Sequence, residues 1–390
     1  MLRDQVERCI DDCIARGPGA AAAPDAGQDG EFDALALAVF AEQFERVPLY
    51  RRLCELRGAL PAGIEHWSQI PAAPADLFKE DLQTGTEPGA RTFLSSGTTQ
   101  GPARRSLHRV SPRSYELYRR CSLAQFRAMV LPDSPGPMST LLLGPSPATH
   151  ESSSLGHMYQ FVIDAFAHQE PQGSPASPAS CFGAGGDLDI DGAVEWLRAS
   201  SAASRPVLIL ALTSTITAVF AALRKRGLEL RLPADSRLVD TGGSKGGRTL
   251  SRNGILKAAW RFLHIPAYLC VAEYGMTELL SQFYDDALAS RWSGGLGKRA
   301  KVGPRWSRSL VVDPATLTPV AAGQRGILRH FDLANFESIA AVQTLDLGVA
   351  AGRGFEVLGR AAGADTRGCS ELMSSIAGAI PGSKPAGEQS

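Results

Sequence analysis

Four short apolar runs, each closing on a glycine or a polar turn, alternate with helix-forming segments between residues 139 and 276. They are STLLLG (139–144), PVLILAL (206–212), SRLVDTGG (236–243) and PAYLCVAEYGM (266–276). Apolar runs of that length bounded by turn residues read as buried strands. The segment TSTITAVFAALRKRG (213–227) between two of them carries a helical period and closes on Gly227, as helices commonly do. Strand, helix, strand in sequence predicts an α/β fold whose polar loops gather along the carboxyl ends of a sheet. Residues 309–333 and 354–360 read instead as short strands and turns, a β-rich stretch after the α/β part.

The amino-terminal part is helical in pattern. Residues 1–16 read as a short amphipathic helix. Residues 17–31, GPGAAAAPDAGQDGE, are rich in Gly, Ala and Pro and read as a flexible linker. The stretch from Phe32 onward has a helical period through Leu35, Val39, Phe40 and Phe44, broken at Pro48. IPAAPADLFKED (70–81) is punctuated by proline and reads as loop. SPRSYELYRRCSLAQFRAMVL (111–131) reads as a helix capped by Ser111 or Ser114.

Charge and cysteine usage exclude some functions. Formal net charge is zero, which argues against a nucleic-acid partner held by bulk electrostatics. No apolar run approaches the roughly 18 residues of a membrane span, so no membrane insertion is expected. The charged start MLRDQVERCIDDCIARG has no apolar segment followed by a cleavage signal, and the expectation is a cytoplasmic protein. The seven cysteines are odd in number and scattered, unlike a disulfide framework. Cys9 and Cys13 share a helix face, but no second pair completes a metal site.

The polar motifs carry the chemistry. FLSSGTTQG (93–101) surrounds Gly97 with Ser95, Ser96, Thr98 and Thr99 and adds Gly101. Backbone N–H groups and short hydroxyls on a glycine-rich loop suit phosphate. No lysine follows the second glycine, so it is not a Walker-type loop. Arg104 and Arg105 lie close by, as phosphate ligands or as two solvated arginines. AEYGMTELLSQFYD (272–285) ends a strand with Tyr274, Thr277 and Glu278. A hydroxyl and a carboxylate there suit a phosphate oxygen and its Mg²⁺; a helix N-terminal box gives the same letters. DTGGSKGG (240–247) puts Gly242 and Gly243 where backbone meets a ligand or simply turns. In QTLDLGV (343–349), Asp346 suits a ribose diol or is a turn residue before Gly348. Gly359 and Arg360 read as a flexible basic joint.

In order and spacing these motifs resemble the adenylate-forming superfamily, and more closely its LuxE-like acyl-protein synthetase branch, related to phenylacetate–CoA ligases. FLSSGTTQGPARRSLH, EYGMTELLSQFYD, DLANFESIAAVQTLDLGV and GFEVLGRAAGADTRGCS carry the likeness, with FDALALAVFAEQFERVPLYRRLC and IPAAPADLFK upstream, over about residues 32–372. The resemblance implies the fold of the large N-terminal domain of adenylate-forming enzymes, with mixed sheets flanked by helices, a β-rich subdomain and a reduced C-terminal domain. It divides the chain into residues 1–31, an adenylation core at 32–359, and a reduced segment and tail at 360–390. It implies ATP-dependent activation of a carboxylic acid, foremost a fatty acid, to an acyl-adenylate.

Residue roles follow from the same resemblance. Ser95, Ser96, Gly97, Thr98, Thr99 and Gly101 would hold the ATP β- and γ-phosphates, Thr277 the α-phosphate, and Glu278 the Mg²⁺. Gly242 and Gly243 would line the adenine and carboxylate pocket, Tyr274 would pack on the base, Asp346 would bind the ribose, and Arg360 would reach phosphate oxygens. Cys369 in TRGCSEL matches the position from which that branch passes its acyl group to a partner, such as a carrier protein or an acyl reductase; a buried structural cysteine is the plain alternative. His150 and His157 flank ESSSLG, and Met158, Phe161 and Phe166 line an acyl tunnel or fill the core. Two rival readings stay open: a CoA ligase for an aryl or small carboxylate, and a non-catalytic nucleotide-binding subunit.

Overall fold

Alternation of apolar runs and helices in the middle of the chain builds one long mixed sheet. The structure is a computed structural model and describes residues 1–17, 26–80, 82, 87–95, 105–169, 178–242, 249–295 and 299–361. The chain opens with helices α1 (Leu2–Ala15), α2 (Ala26–Arg46) and α3 (Pro48–Leu56), then strands β1 (Ala73–Pro74), β2 (Arg91–Leu94) and β3 (Leu107–Val110). The α/β part follows: α4 (Pro112–Val130), β4 (Ser139–Leu143), α5 (Ser154–Phe166), β5 (Ala179–Ser180), α6 (Ile190–Ser201), β6 (Val207–Leu212), α7 (Thr213–Lys225), β7 (Arg237–Thr241), α8 (Arg252–Leu263) and β8 (Cys270–Tyr274). After β9 (Phe283–Asp285) and the one-and-a-half-turn α9 (Ala287–Trp292) come β10 (Lys301–Val302), β11 (Ser307–Val312), β12 (Arg325–Asp332), β13 (Ala341–Ala351) and β14 (Gly354–Arg360).

Twelve strands join in the order β11-β12-β13-β14-β10-β9-β8-β7-β6-β4-β5, with β1 added beside β13; β2 and β3 form a separate hairpin. From β5 to β8 the pairs are parallel, and from β8 to β11 they are antiparallel. The α/β part and the β-rich part therefore share one hydrogen-bonded sheet. The parallel strands are the apolar runs read from sequence, and Val207–Ala211, Leu238 and Val239 are fully buried. Helices on both sides exclude water from such strands. Among the described residues no helix is long and apolar enough to cross a membrane.

Ser111, not Ser114, caps α4: its Oγ accepts from the Ser114 N–H at 3.1 Å, and Pro112 fills the first helical position, where no N–H is needed. Pro48 likewise opens α3. Three local expectations change. The segment read as linker is helical from Ala26, where Asp29 in the first turn suits the helix dipole. Val6 and Ile10 of α1 are fully buried in the main core, and Arg3 pairs with Glu7 and Glu337, so the first helix belongs to the same body. The proline-punctuated 70–81 stretch contributes β1, which pairs in parallel with Val342 and Gln343, and a short 3-10 turn at Ala75–Lys79.

Candidate active site at the strand ends

The ladder between β7 and β8 sets Thr241 against Glu273, so Gly242 and Tyr274 leave the sheet side by side. Gly242 has φ +92°, a left-handed value that a side chain would strain, and its carbonyl accepts from Thr213 Oγ1 at 2.8 Å. Arg252 spans Asp240 and Asp285, and Arg299 also pairs with Asp285. This buried set of charges ties the end of β7 to β9 through α8.

Successive residues of β8 face opposite sides of the sheet. Tyr274 faces Phe283, His330 and Phe355, with ring centroids 5.5–6.0 Å away. Its hydroxyl donates to Asp346 Oδ2 at 2.8 Å. Asp346 pairs with Arg360 across the β13–β14 ladder, with Arg360 Nε 3.5 Å from its other oxygen. The alternative of a turn aspartate is thus corrected: Asp346 sits within an eleven-residue strand. Gly359 and Arg360 are paired strand residues, not a loose joint.

Residues 275–282 form a turn between β8 and β9 that carries Thr277 and Glu278. No helix starts there, so the helix-box alternative falls. The turn is held from three sides. His108 on β3 donates from Nδ1 to the Thr277 carbonyl at 2.9 Å. Asn335 Nδ2 donates to the Glu278 carbonyl at 2.6 Å, while its Oδ1 accepts from the Leu280 N–H at 2.9 Å. Asp332 accepts from Leu280 N–H and Ser281 Oγ, and Gln43 on α2 fixes the Asn335 and Phe336 carbonyls at 3.1 Å each.

Glu278 is 5% exposed. Burial raises its carboxyl pKa, opposed by a hydrogen bond from Ser106 and the Arg360 charge. Ser106 and Ser95 pair across the β2–β3 hairpin, Ser95 N–H to Ser106 O at 3.0 Å and Ser106 N–H to Ser95 Oγ at 2.9 Å. Arg105 Nε donates to the Ser95 carbonyl at 2.5 Å. Both flanks of the glycine-serine loop are therefore anchored next to Glu278. Ser95, Ser106 and Glu278 are linked on one side and Arg360, Asp346 and Tyr274 on the other, with the Arg360 charge felt at Glu278. Ser96, Gly97, Thr98, Thr99, Gly101, Gly243 and Cys369 lie outside the described residues.

Among the described residues Glu278 has no ion pair, and a buried carboxylate of that kind suits a cation. Among the described residues no three acidic, histidine or cysteine side chains cluster as a metal site. That fits Mg²⁺, which typically takes one or two carboxylates and completes its shell with phosphates and water. His157 is not a free base: Nδ1 meets Tyr115 Oη at 2.7 Å and Nε2 the Glu151 carbonyl at 2.9 Å. Met158 and Phe161 are core residues, and Phe166 stacks on Phe126.

Sequence reading missed His108, Asn335, Asp332, Gln43 and Ser106. Asn335 and Asp332 stand in the quoted DLANF segment, which was their only sequence signal. Ser106, His108 and Gln43 likewise stand in the segments FLSSGTTQGPARRSLH and FDALALAVFAEQFERVPLYRRLC, but nothing in them marks a partner 169 or 292 residues away.

A family model described as acyl-protein synthetase, LuxE, matches residues 9–377. No curated protein matches the chain. Among solved structures, 2-hydroxyisobutyryl-CoA ligase in the postadenylation state with 2-HIB-AMP aligns with a TM-score of 0.63 at 13% identity, covering 86% of this chain and 68% of that one. An open conformation of the same ligase with 2-HIB-AMP and CoA gives 0.59 at 13% identity, with 85% and 70% covered. At that identity the likeness establishes the fold.

Proposed function

The chain belongs to the LuxE acyl-protein synthetase family, AMP-forming acid–thiol ligases, and on that premise we propose that it activates an aliphatic carboxylic acid with ATP and passes the acyl group to Cys369. In the first step a carboxylate oxygen bonds to the α-phosphorus and pyrophosphate leaves. In the second a thiolate attacks the acyl carbonyl and AMP leaves. Both first-step reactants are anions, so the site must neutralise and align them more than move protons.

One observation carries the reading: buried Glu278 joins, through Ser106 on one side and Arg360 and Asp346 on the other, the flanks of the glycine-serine loop to the Tyr274 side of the strand ends. Glu278 would hold Mg²⁺, whose charge offsets that of the phosphates. Thr277, fixed through its carbonyl by His108, would offer its hydroxyl to the α-phosphate. Asp346, already oriented by Tyr274 and Arg360, would accept the ribose hydroxyls, and Gly242 would leave room for the base beside Tyr274. Ser95 would begin the cradle that Ser96, Gly97, Thr98, Thr99 and Gly101 continue. Arg360 would turn to a phosphate oxygen when the ribose takes its place on Asp346. The thiol step rests on the family and on Cys369 standing in TRGCSEL.

The test is carboxylate-dependent pyrophosphate release from ATP and Mg²⁺ across a panel of acids without CoA. Labelled acid should then remain on the protein in a hydroxylamine-labile bond, and Cys369→Ser should lose the label while still releasing pyrophosphate. AMP release that needs CoA, with no labelled protein, would replace Cys369 by CoA as acceptor. No pyrophosphate with any acid, despite ATP binding, would remove the adenylation reading.

A further inference from the structure

The face of β8 opposite Tyr274 carries a second acid that the reaction above does not use. Glu273 is 6% exposed. Its Oε2 accepts from Thr241 Oγ1. Its Oε1 accepts no hydrogen bond among the described residues. It lies over exposed Gly275, where a Cβ would come within 2.5 Å of it and 3.9 Å from Gln282 Cγ. Gln282 is 4% exposed, and its Oε1 is buried with no hydrogen-bond partner.

Neighbouring hydroxyls do not serve these atoms. Tyr118 donates to the Ser154 carbonyl, Tyr159 to the Ala211 carbonyl and Tyr284 to Met158 Sδ. Lys301 Nζ donates to the Ala272 carbonyl at 2.5 Å. Buried polar atoms in native proteins are nearly always paired, so the unpaired Gln282 Oε1 next to Glu273 points to a ligand group or water. Because Tyr274 and Asp346 lie on the other face of the strand, the nucleoside of the proposed reaction is on that side. The acid substrate is left with the Glu273 face.

We propose that Glu273 and Gln282, with Thr241 fixing Glu273, form a polar subsite for the acyl part of the substrate, and that the acid bears a hydroxyl or amino group. The inference rests on the adenylation reading. A donor on the acid would bond to Glu273 Oε1 and the Gln282 amide oxygen. A bare alkyl chain there would leave the Gln282 amide oxygen unpaired and cover the Glu273 carboxyl, and sites built around a substrate hydroxyl or amine reject analogues lacking it. Burial raises the Glu273 carboxyl pKa to about 7: above that value it accepts from a substrate hydroxyl or amine, and below it its proton can be donated to a hydroxyl oxygen, so an uncharged hydroxyl is served in either form.

The experiment compares straight-chain acids of matched length, unsubstituted, hydroxylated or aminated at the 2- or 3-position, on the full-length protein. Two readouts are taken: acid binding by ligand-observed NMR, and pyrophosphate release with ATP and Mg²⁺. The expected result is at least about a tenfold preference in kcat/KM for one substituted series. Glu273→Leu and Gln282→Leu should each abolish the preference, and Glu273→Gln should keep it for the hydroxy acid. Equal or better turnover of unsubstituted acids overturns the subsite and leaves adenylation standing. Glu273-dependent binding of a substituted acid without pyrophosphate supports the subsite and overturns adenylation. Absence of both binding and release for every acid overturns both.

Discussion

The Nδ1 of His108 and the carbonyl oxygen of Thr277 lie 2.9 Å apart, and this bond joins the β2–β3 hairpin to the turn between β8 and β9. Burial lowers the His108 pKa, so the ring is neutral. A carbonyl accepts only from an N–H, which puts the proton on Nδ1. The hairpin that carries the glycine-serine loop and the turn that carries Glu278 are thus set relative to each other by this imidazole together with the Ser106–Glu278 hydrogen bond.

His108→Ala leaves the Thr277 carbonyl without its donor in a buried place, at a cost of about 1–3 kcal/mol. Denaturant unfolding should show that loss. Because the turn would no longer be fixed against the hairpin, kcat for pyrophosphate release should fall by about tenfold or more. Unchanged kcat in a folded His108→Ala protein would separate the turn from catalysis.

Glu278→Gln keeps the size of the side chain and removes its charge. Since burial already disfavours that charge, the fold should keep its stability or gain slightly. Mg²⁺ activation should weaken, with pyrophosphate release down about a hundredfold at fixed Mg²⁺ and partly restored as Mg²⁺ is raised. A normal Mg²⁺ titration curve in the variant would move the metal role elsewhere.

Asp346→Ala should separate binding from stability. Its ion pair with Arg360 is half open to water, with 54% of the Arg360 side chain exposed, and such pairs contribute about 0–1 kcal/mol. Loss of the ion pair should therefore barely move the melting temperature, and the Tyr274 hydroxyl left without its acceptor adds a fall of about 1 kcal/mol. The KM for ATP should rise about tenfold or more as the ribose loses its acceptor, and Tyr274→Phe, which only frees one Asp346 oxygen, should raise it less. An ATP KM unchanged in Asp346→Ala would remove the ribose assignment.

The parallel strands were legible because burial on both faces leaves an unbroken apolar run, as in VLILAL. The polar motifs were legible as short glycine-, hydroxyl- and acid-bearing segments that interrupt the apolar runs. Tyr274, Asp346 and Arg360, distant in sequence, are in side-chain contact. What sequence could not supply was long-range pairing. Asn335 closes the turn 57 residues before it, and Gln43 reaches a carbonyl 292 residues on; an amide side chain carries no periodic signal for either. Nor did the linker composition reveal the helix from Ala26, where tertiary packing of the stripe from Phe32 outweighs the local cost of Gly30, about 1 kcal/mol.

Glu273 gives a pH signature of its own. Burial raises its carboxyl pKa from 4.5 to about 7, opposed by the Thr241 hydrogen bond and the Lys301 charge. Below the unfolded value both states hold the proton and the contribution is complete. As pH rises, the unfolded chain ionises first while the folded protein keeps its proton, so stability falls until the folded value is passed. At about 1.4 kcal/mol per pH unit the loss is roughly 3 kcal/mol across that window. Glu273→Gln cannot ionise and can still accept from Thr241, so its stability should lack this decline. Asp332, raised to about 6 by burial, contributes a similar decline in both proteins and cancels in the difference. Lys301, lowered from 10.5 to about 8 by burial, changes stability mainly above the window. The measurement is denaturant unfolding of both proteins from pH 4.5 to 7.5. The variant should gain on the wild type steadily with pH and level off above 7; parallel curves would mean that the Glu273 carboxyl is ionised in the folded protein throughout.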